Sequence, residues 1–120
     1  MAGFIEVTEG HEWSSANWVY YLIMDGVLED ISPLGNEDLN TDVEQSKWMQ
    51  TFSIADVSIH EWRAVLIDSL KRVCEMVKAG KIVAKVEGKM LDEPSQAQFK
   101  SAVQELADDL AAIASESAGQ

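Results

Sequence analysis

Two copies of the tripeptide His-Glu-Trp, at positions 11–13 and 60–62, are the first candidates for chemistry in this 120-residue chain. Imidazole nitrogen is a common zinc ligand, and the single cysteine, Cys74, can supply a thiolate. Neither copy, however, has a second His or Cys at the short spacing that zinc sites use. We therefore interpret each copy as lying near a helix start, where an acid favours the helix dipole and the Trp begins the buried face.

A second metal-binding pattern begins at Asp38. Together with Asn40 and Asp42 it spells D-x-N-x-D, the opening of a calcium-binding loop. That loop requires Gly at its sixth position and an acidic residue at its twelfth, where this chain has Val43 and Met49. The sequence therefore predicts no metal site and no cofactor.

Cys74 is the candidate nucleophile of the thiol type. It lies within an apolar helical pattern, one turn from Leu70 and close to Val77, which is typical of a buried thiol. No activating base lies nearby, because His60 is about 20 Å away along the same predicted helix. The chain also lacks a Ser-His-Asp or glycine-rich phosphate signature. We expect no catalytic residues and no enzymatic activity.

The segment from Asp25 to Glu44 is the most unusual part of the sequence, because it contains many acids and not one Lys, Arg or His. Residues 1–46 hold ten acids and no base, whereas residues 47–120 hold eleven acids and all nine bases. Most of the formal net charge of −12 therefore belongs to the first third of the chain. The seven acids of the segment are Asp25, Glu29, Asp30, Glu37, Asp38, Asp42 and Glu44.

Several of these acids are placed where they destabilise an isolated helix. Glu29 and Asp30 fall in the last turn of a predicted helix, where the dipole disfavours an anion by roughly 0.3–1 kcal/mol each. Asp25 and Glu29 are also four residues apart, and like charges at that spacing repel one another. Asp38 and Asp42 repeat the spacing. Because a basic partner would reverse the sign of every one of these effects, the pattern favours a binding surface over mere solvation.

Aromatic residues accompany the acids in the first predicted helix. Trp18 and Tyr21 share one helical side with Asp25, whereas an aliphatic stripe occupies another side. One of the two sides must lie further from the core, and aromatic side chains commonly anchor protein interfaces. We therefore predict that Trp18 and Tyr21 join the seven acids in binding a partner. The aliphatic stripe consists of Val19, Ile23 and Val27.

Hydrophobic periodicity predicts a mostly α chain that forms a compact bundle of about four helices. The first helix is expected to begin after Ser14 or Ser15, the third has a capping-box pattern at Ser58 and Glu61, and Pro94 suits the first turn of the fourth. Inward candidates of the weaker second helix, about 37–52, are Leu39, Val43, Trp48 and Phe52.

The chain is expected to form a single domain over residues 1–120, with about ten N-terminal and about five C-terminal residues frayed. Residues 81–87 alternate weakly between apolar and charged types and are predicted to form one short strand or an extended arm. A single cysteine, the lack of a signal-peptide pattern and the short apolar runs indicate a cytoplasmic protein. Direct binding to nucleic acid or to a membrane is not expected, because both require clustered cations.

These features fit the general profile of a small acidic protein that blocks a basic partner. Immunity proteins that neutralise nuclease toxins have this profile, and so do inhibitors that imitate the phosphate backbone, because charge complementarity selects the partner. We therefore expect an inhibitor of a basic protein, with a nuclease toxin as the leading partner.

The alternative is a dimeric secretion or assembly chaperone that holds a client through apolar surface. In that interpretation the contact is made by residues 81–88 and by an apolar seam on the fourth helix. An accessory subunit of a larger complex is a third possibility, and the oligomeric state is left open. The seam consists of Phe99, Val103, Leu106, Leu110 and Ile113.

Overall fold

The computed structural model describes residues 2–8, 10–57 and 60–118. Within these residues the chain is mostly helical, as the periodicity predicts, with four α-helices and two small sheets. The helices are α1 (Asn17–Ile31), α2 (Glu37–Met49), α3 (His60–Lys78) and α4 (Glu93–Ala118). The strands are β1 (Ala2–Thr8), β2 (His11–Ala16), β3 (Thr51–Ser53), β4 (Lys85–Val86) and β5 (Lys89–Met90). The expected bundle arrangement is not confirmed, because a three-stranded sheet takes part in the packing.

Ala2–Thr8 form the central strand of that sheet, within the segment of about ten residues that the sequence predicts to fray. The strand order is β2-β1-β3, with β2 antiparallel and β3 parallel to β1. Ile5 and Val7 are buried at 0% and 2% exposure, whereas Phe4, which precedes Ile5, is 39% exposed. This alternation with a period of two buries one face of the strand and leaves the other exposed. The first His-Glu-Trp copy lies in β2, and its Trp13 is buried.

Helix α1 lies at the centre of the fold, between the sheet and the other helices. The backbone of β1 runs so close to Tyr20 that a Cβ atom at Gly3 would stand 2.1 Å from Cγ of that ring. On another side of α1, a Cβ atom at Gly26 would lie 3.2 Å from the methyl groups of Val73 on α3. Gly3 therefore requires a residue without a side chain, whereas a Cβ atom at Gly26 would require the Val73 side chain to move by a few tenths of an ångström.

Helix α2 is shorter than predicted. Asn36 caps its start by accepting a hydrogen bond from the Leu39 amide at 3.1 Å. The helix stops at Met49 because Gln50 adopts a left-handed conformation with a φ of 61°, and the chain then enters β3. Phe52 is buried as predicted, but it lies in a strand and not in the helix.

Residues 85–90 form an antiparallel hairpin, so the strand predicted in this region has a partner after all. Glu87 and Gly88 both have positive φ angles, 53° and 79°, which is the geometry of a two-residue hairpin turn. The side-chain amide of Gln96 on α4 holds the base of the hairpin. Its oxygen accepts from the Ala84 amide at 2.8 Å, and its nitrogen donates to the carbonyl oxygens of Ala84 and Leu91 at 2.8 and 3.1 Å.

Helix α4 begins where Pro94 predicts, and Asp92 caps it by accepting from the Ser95 amide at 3.0 Å. It extends to Ala118, so the expected fraying is wrong for residues 116–118, and residues 119–120 lie outside the described part of the chain. Ser58 of the predicted capping box also lies outside it. The predicted apolar seam of α4 is buried in the same hydrophobic core as the inward residues of β1, α1, α2 and α3.

Candidate functional site

Two of the seven acids predicted to form the site are paired with cations from outside the acidic segment. The carboxylate of Asp25 on α1 lies 2.6 Å from Nζ of Lys47 on α2. The Lys47 side chain is only 18% exposed, whereas that of Asp25 is 55% exposed. The pair therefore joins α1 to α2 and provides an ion-pair partner for the one Lys or Arg that α2 contains.

The second pair is bidentate, whereas the first has a single contact. Arg72 on α3 reaches Asp30 in the last turn of α1 with two parallel bonds, Nε to Oδ1 at 3.0 Å and Nη2 to Oδ2 at 2.7 Å. The Arg72 guanidinium lowers the pKa of the Asp30 carboxyl below its ordinary value, because it donates to the ionised form. Asp25 and Asp30 are therefore each compensated by a cation from a neighbouring helix.

The remaining five acids are exposed, and none of them forms an ion pair within the described residues. Glu37 and Asp38 lie in the first turn of α2, where the helix dipole favours carboxylates. Asp42 and Glu44 lie beyond that turn and gain nothing from the dipole. Glu29 stands one turn after Asp25, on the exposed side of α1.

The two aromatic residues predicted to bind a partner are both half-buried. The Trp18 ring packs against Phe99 of α4, with centroids 6.2 Å apart. Tyr21 lies at the contact of α1 with α2, where its hydroxyl accepts from Nε2 of Gln50 at 3.1 Å. Its ring centroid is 6.2 Å from that of Trp48. Trp18 therefore stabilises the α1–α4 contact, and Tyr21 borders the exposed surface of α2.

Trp48 is the aromatic residue that the sequence prediction misplaced. It was expected to point inward, but it is 64% exposed, and the neighbouring Met49 is 74% exposed. The reason is helical phase. Leu39 and Val43 are buried, and Trp48 follows Val43 by five residues, which is about 140° around the helix. The angular positions of these residues around the helix, read from the sequence, would have predicted that Trp48 is exposed.

Together these residues define one continuous outer surface of a single helix. Glu37, Thr41, Glu44 and Trp48 follow one another in steps of four, three and four residues, so they share one side of α2. Asp38, Asp42 and Met49 flank that side. We call this surface the α2 face and define it as Glu37, Asp38, Thr41, Asp42, Glu44, Trp48 and Met49.

A second group of acids, which the sequence prediction did not include, lies on the outer face of the sheet. Glu6 and Glu12 are directly opposed on β1 and β2, an arrangement in which like charges repel. The Ser53 hydroxyl is within hydrogen-bond distance of Glu6 Oε1, at 2.9 Å, and of Asp56 Oδ2, at 3.1 Å. The sheet therefore adds to the negative charge of the N-terminal part of the molecule.

The described residues hold no cluster of side chains arranged to bind a metal ion. No group of three or more His, Cys, Asp or Glu side chains in the described ranges is arranged to hold a metal ion. Cys74 is 6% exposed, and burial raises the pKa of its thiol to about 12, which keeps it protonated and unreactive. The side chain of His60 lies outside what the structure describes.

Comparison of the chain with protein-family models, with curated proteins and with solved structures finds no match. Among the described helices, none combines the length and the apolar character needed to cross a bilayer. The geometry of the α2 face is therefore the feature on which a functional proposal rests.

Proposed function

We infer that the chain is an acidic inhibitor that binds and blocks a basic protein through the α2 face. A nuclease toxin is the partner class that fits best, because an enzyme that binds nucleic acid exposes a dense cationic surface. The proposal places the inhibitor in the cytoplasm, where a free, buried Cys74 stays reduced.

The observation that supports this proposal is that an exposed aromatic residue, Trp48, lies on the same helix as several exposed acids. Trp48 is 64% exposed, and it shares one helix with four exposed acids. Acids on such a surface accelerate association with a basic partner and exclude acidic ones. An aromatic residue on the same surface slows dissociation when its contact with the partner is desolvated and well packed.

The proposed site is smaller than the one that the sequence predicts. Asp25 and Asp30 each have a cation already, so they gain little from a basic partner, and Trp18 is engaged with Phe99. The four acids of the α2 face keep their full charge available, together with Glu29 on α1. Tyr21 contributes at the edge, through its contact with Trp48.

The proposal is tested by reversing charge on the α2 face. The double variant Asp42→Lys, Glu44→Lys should lose the partner that the wild type captures from source lysate, by at least tenfold at low salt. The matched control is Glu105→Lys, Asp108→Lys, two exposed acids of α4 that change the net charge by the same amount.

Mass spectrometry identifies what each variant captures at low and at high salt, and the captured protein is then assayed for cleavage of nucleic acid with and without the chain. A basic protein that is inhibited by the wild type and by the α4 variant, but not by the α2 variant, supports the proposal. Equal capture by the wild type and by both variants contradicts it.

The chaperone alternative keeps one supporting observation. Val86 and Met90 on the hairpin are 44% and 65% exposed, which gives a client some apolar surface. The apolar seam of α4 cannot contact a client, because its residues are buried in the chain's own core. Light scattering separates the two functions. A stable dimer at every salt concentration, with no basic protein captured, favours the chaperone.

A further inference from the structure

Lys47 shows that the surroundings of Trp48 accommodate a cation. Its Nζ atom lies 4.8 Å from the centroid of the Trp48 ring and 2.6 Å from the carboxylate of Asp25. Tyr21 lies beside the same indole, with ring planes inclined at 51°. An ammonium group between an aromatic face and a carboxylate is held by both, because the ring carries negative potential on its face.

This arrangement leaves part of the indole free. Lys47 covers one face, and its side chain is itself only 18% exposed, yet Trp48 remains 64% exposed. Glu44 precedes Trp48 by one helical turn on the same side, at the spacing at which side chains of a helix meet. The open part of the ring therefore lies next to a carboxylate that has no ion-pair partner among the described residues.

We propose that Trp48 and Glu44 together bind an arginine side chain of the basic partner. This inference rests on the proposed function and specifies its central contact. The guanidinium stacks on the open part of the indole and donates to the Glu44 carboxylate, while Lys47 keeps its place between Trp48 and Asp25.

Arginine fits this site better than lysine for a physical reason. The guanidinium is planar and more weakly hydrated than an ammonium group, so it stacks on a flat ring at a smaller cost in solvation. Its fork of donors also matches a carboxylate, whereas a lysine donates from a single point. The place that suits a compact ammonium, between the ring and Asp25, is already taken by Lys47.

The test uses two capped peptides of equal charge, octa-arginine and octa-lysine, titrated by calorimetry at low salt into the full chain. Arginine should bind about three- to tenfold more tightly than lysine, as expected for one stacked cation. Trp48→Leu should remove most of that preference while changing octa-lysine binding less than twofold. The control Phe4→Leu alters an exposed aromatic residue of the sheet and should preserve the preference.

A spectroscopic readout places the contact at the ring itself. In a nitrogen–proton correlation spectrum, the indole resonance missing from Trp48→Leu should shift with octa-arginine and much less with octa-lysine. Glu44→Gln should weaken the arginine effect.

The outcomes separate the two proposals. If both peptides bind, Asp42→Lys, Glu44→Lys weakens both, and Trp48→Leu leaves the arginine preference intact, the arginine site is wrong and the acidic α2 face stands. If neither peptide binds at low salt, both proposals fail.

Discussion

At the scale of single residues, the pair Asp30–Arg72 shows how the chain accommodates acids in unfavourable places. Asp30 lies in the last turn of α1, where the helix dipole opposes a negative charge. The bidentate guanidinium of Arg72, brought by α3, offsets that cost and lowers the pKa of the carboxyl. An acid that was predicted to bind a partner is thus part of the folded structure.

We predict that Asp30→Asn lowers the free energy of unfolding by about 1 kcal/mol at pH 7, because the pair is partly exposed to solvent. The lowered pKa means that folding stabilises the ionised carboxyl, so its contribution is complete above the unfolded-state value. It is lost as pH falls through the folded-state value. The difference in the free energy of unfolding between the wild type and Asp30→Asn, measured by urea denaturation, should therefore shrink below about pH 4.

Arg72→Met removes the other partner of the ion pair. The double variant should lose less free energy of unfolding than the sum of the losses in the two single variants. A difference between wild type and Asp30→Asn that stays constant down to pH 3 would contradict the assignment of the ion pair.

The misplacement of Trp48 also belongs to the residue scale. Leu39 and Val43 were correctly predicted to be buried, since they lie close together in helical phase. Trp48 was assigned to the core for its size, although its phase places it outside. The ion pairs could not be predicted, because Asp25–Lys47 and Asp30–Arg72 depend on which helices become neighbours.

At the scale of elements, one side chain of a helix supports the hairpin β4–β5, beside the backbone hydrogen bond from the Leu91 amide to the Ala84 carbonyl oxygen at 3.0 Å. Gln96 makes three hydrogen bonds to the backbone at the base of the hairpin, and no other α4 side chain is recorded bonding there within the described residues. The pairing of the two strands is itself short. Two-residue strands are marginal by themselves, so the helix fixes their position.

We predict that Gln96→Leu leaves the rest of the fold in place and loosens the hairpin, since half-buried backbone groups lose their partners. Amide exchange at Ala84 and Leu91 should accelerate about tenfold or more, which corresponds to about 1.4 kcal/mol of local stability. Hydrogen exchange read by NMR measures it. Gln98→Leu, an exposed neighbour on the same helix, is the control, and equal protection of the hairpin in both variants would refute this role for Gln96.

Helices were easier to predict than strands because their signals are local. The start of α1, the stop after α3 and the cap of α4 follow from nearby residue types and periodicity. The sheet joins β1 to β3 across two intervening helices, and no local pattern encodes that pairing. β1 does alternate between buried and exposed residues, which is the one signal of the sheet that was available.

At the scale of the whole molecule, the negative charge is concentrated in the first third of the chain. The described structure pairs two of the seven acids in the segment 25–44 and leaves the others exposed on α1 and α2. Acids repel one another most where no base intervenes, and salt screens that repulsion. A surface built for a partner is expected to weaken the free protein.

We therefore predict that Glu29→Gln and Asp42→Asn each stabilise the free chain. Glu29→Gln removes an anion from the last turn of α1 and should raise the free energy of unfolding by roughly 0.3–1 kcal/mol. Asp42→Asn removes the repulsion from Asp38 and should raise it by about 0.2–0.5 kcal/mol. Chemical denaturation at low salt measures both gains, and sodium chloride should reduce them.

Glu75→Gln is the matched control, for which the expected change in stability has the opposite sign. Glu75 stands on α3 between Lys71 and Lys78, at helical spacings of four and three residues, so its neutralisation should cost a few tenths of a kcal/mol. A loss of stability in Glu29→Gln or Asp42→Asn similar to that in Glu75→Gln would show that the acidic segment supports the fold.

The parallel pairing of β1 with β3 also bears on how the chain acquires its structure during synthesis. β1 is made before α1 and α2, and its partner Thr51–Ser53 emerges only after both. At about 5–20 residues per second, the edge of the central strand waits about 2–10 seconds for that partner. An open strand edge invites pairing with another nascent chain. During the same interval the emerging segment carries acids and almost no bases, so neighbouring nascent chains repel one another until the sheet is closed.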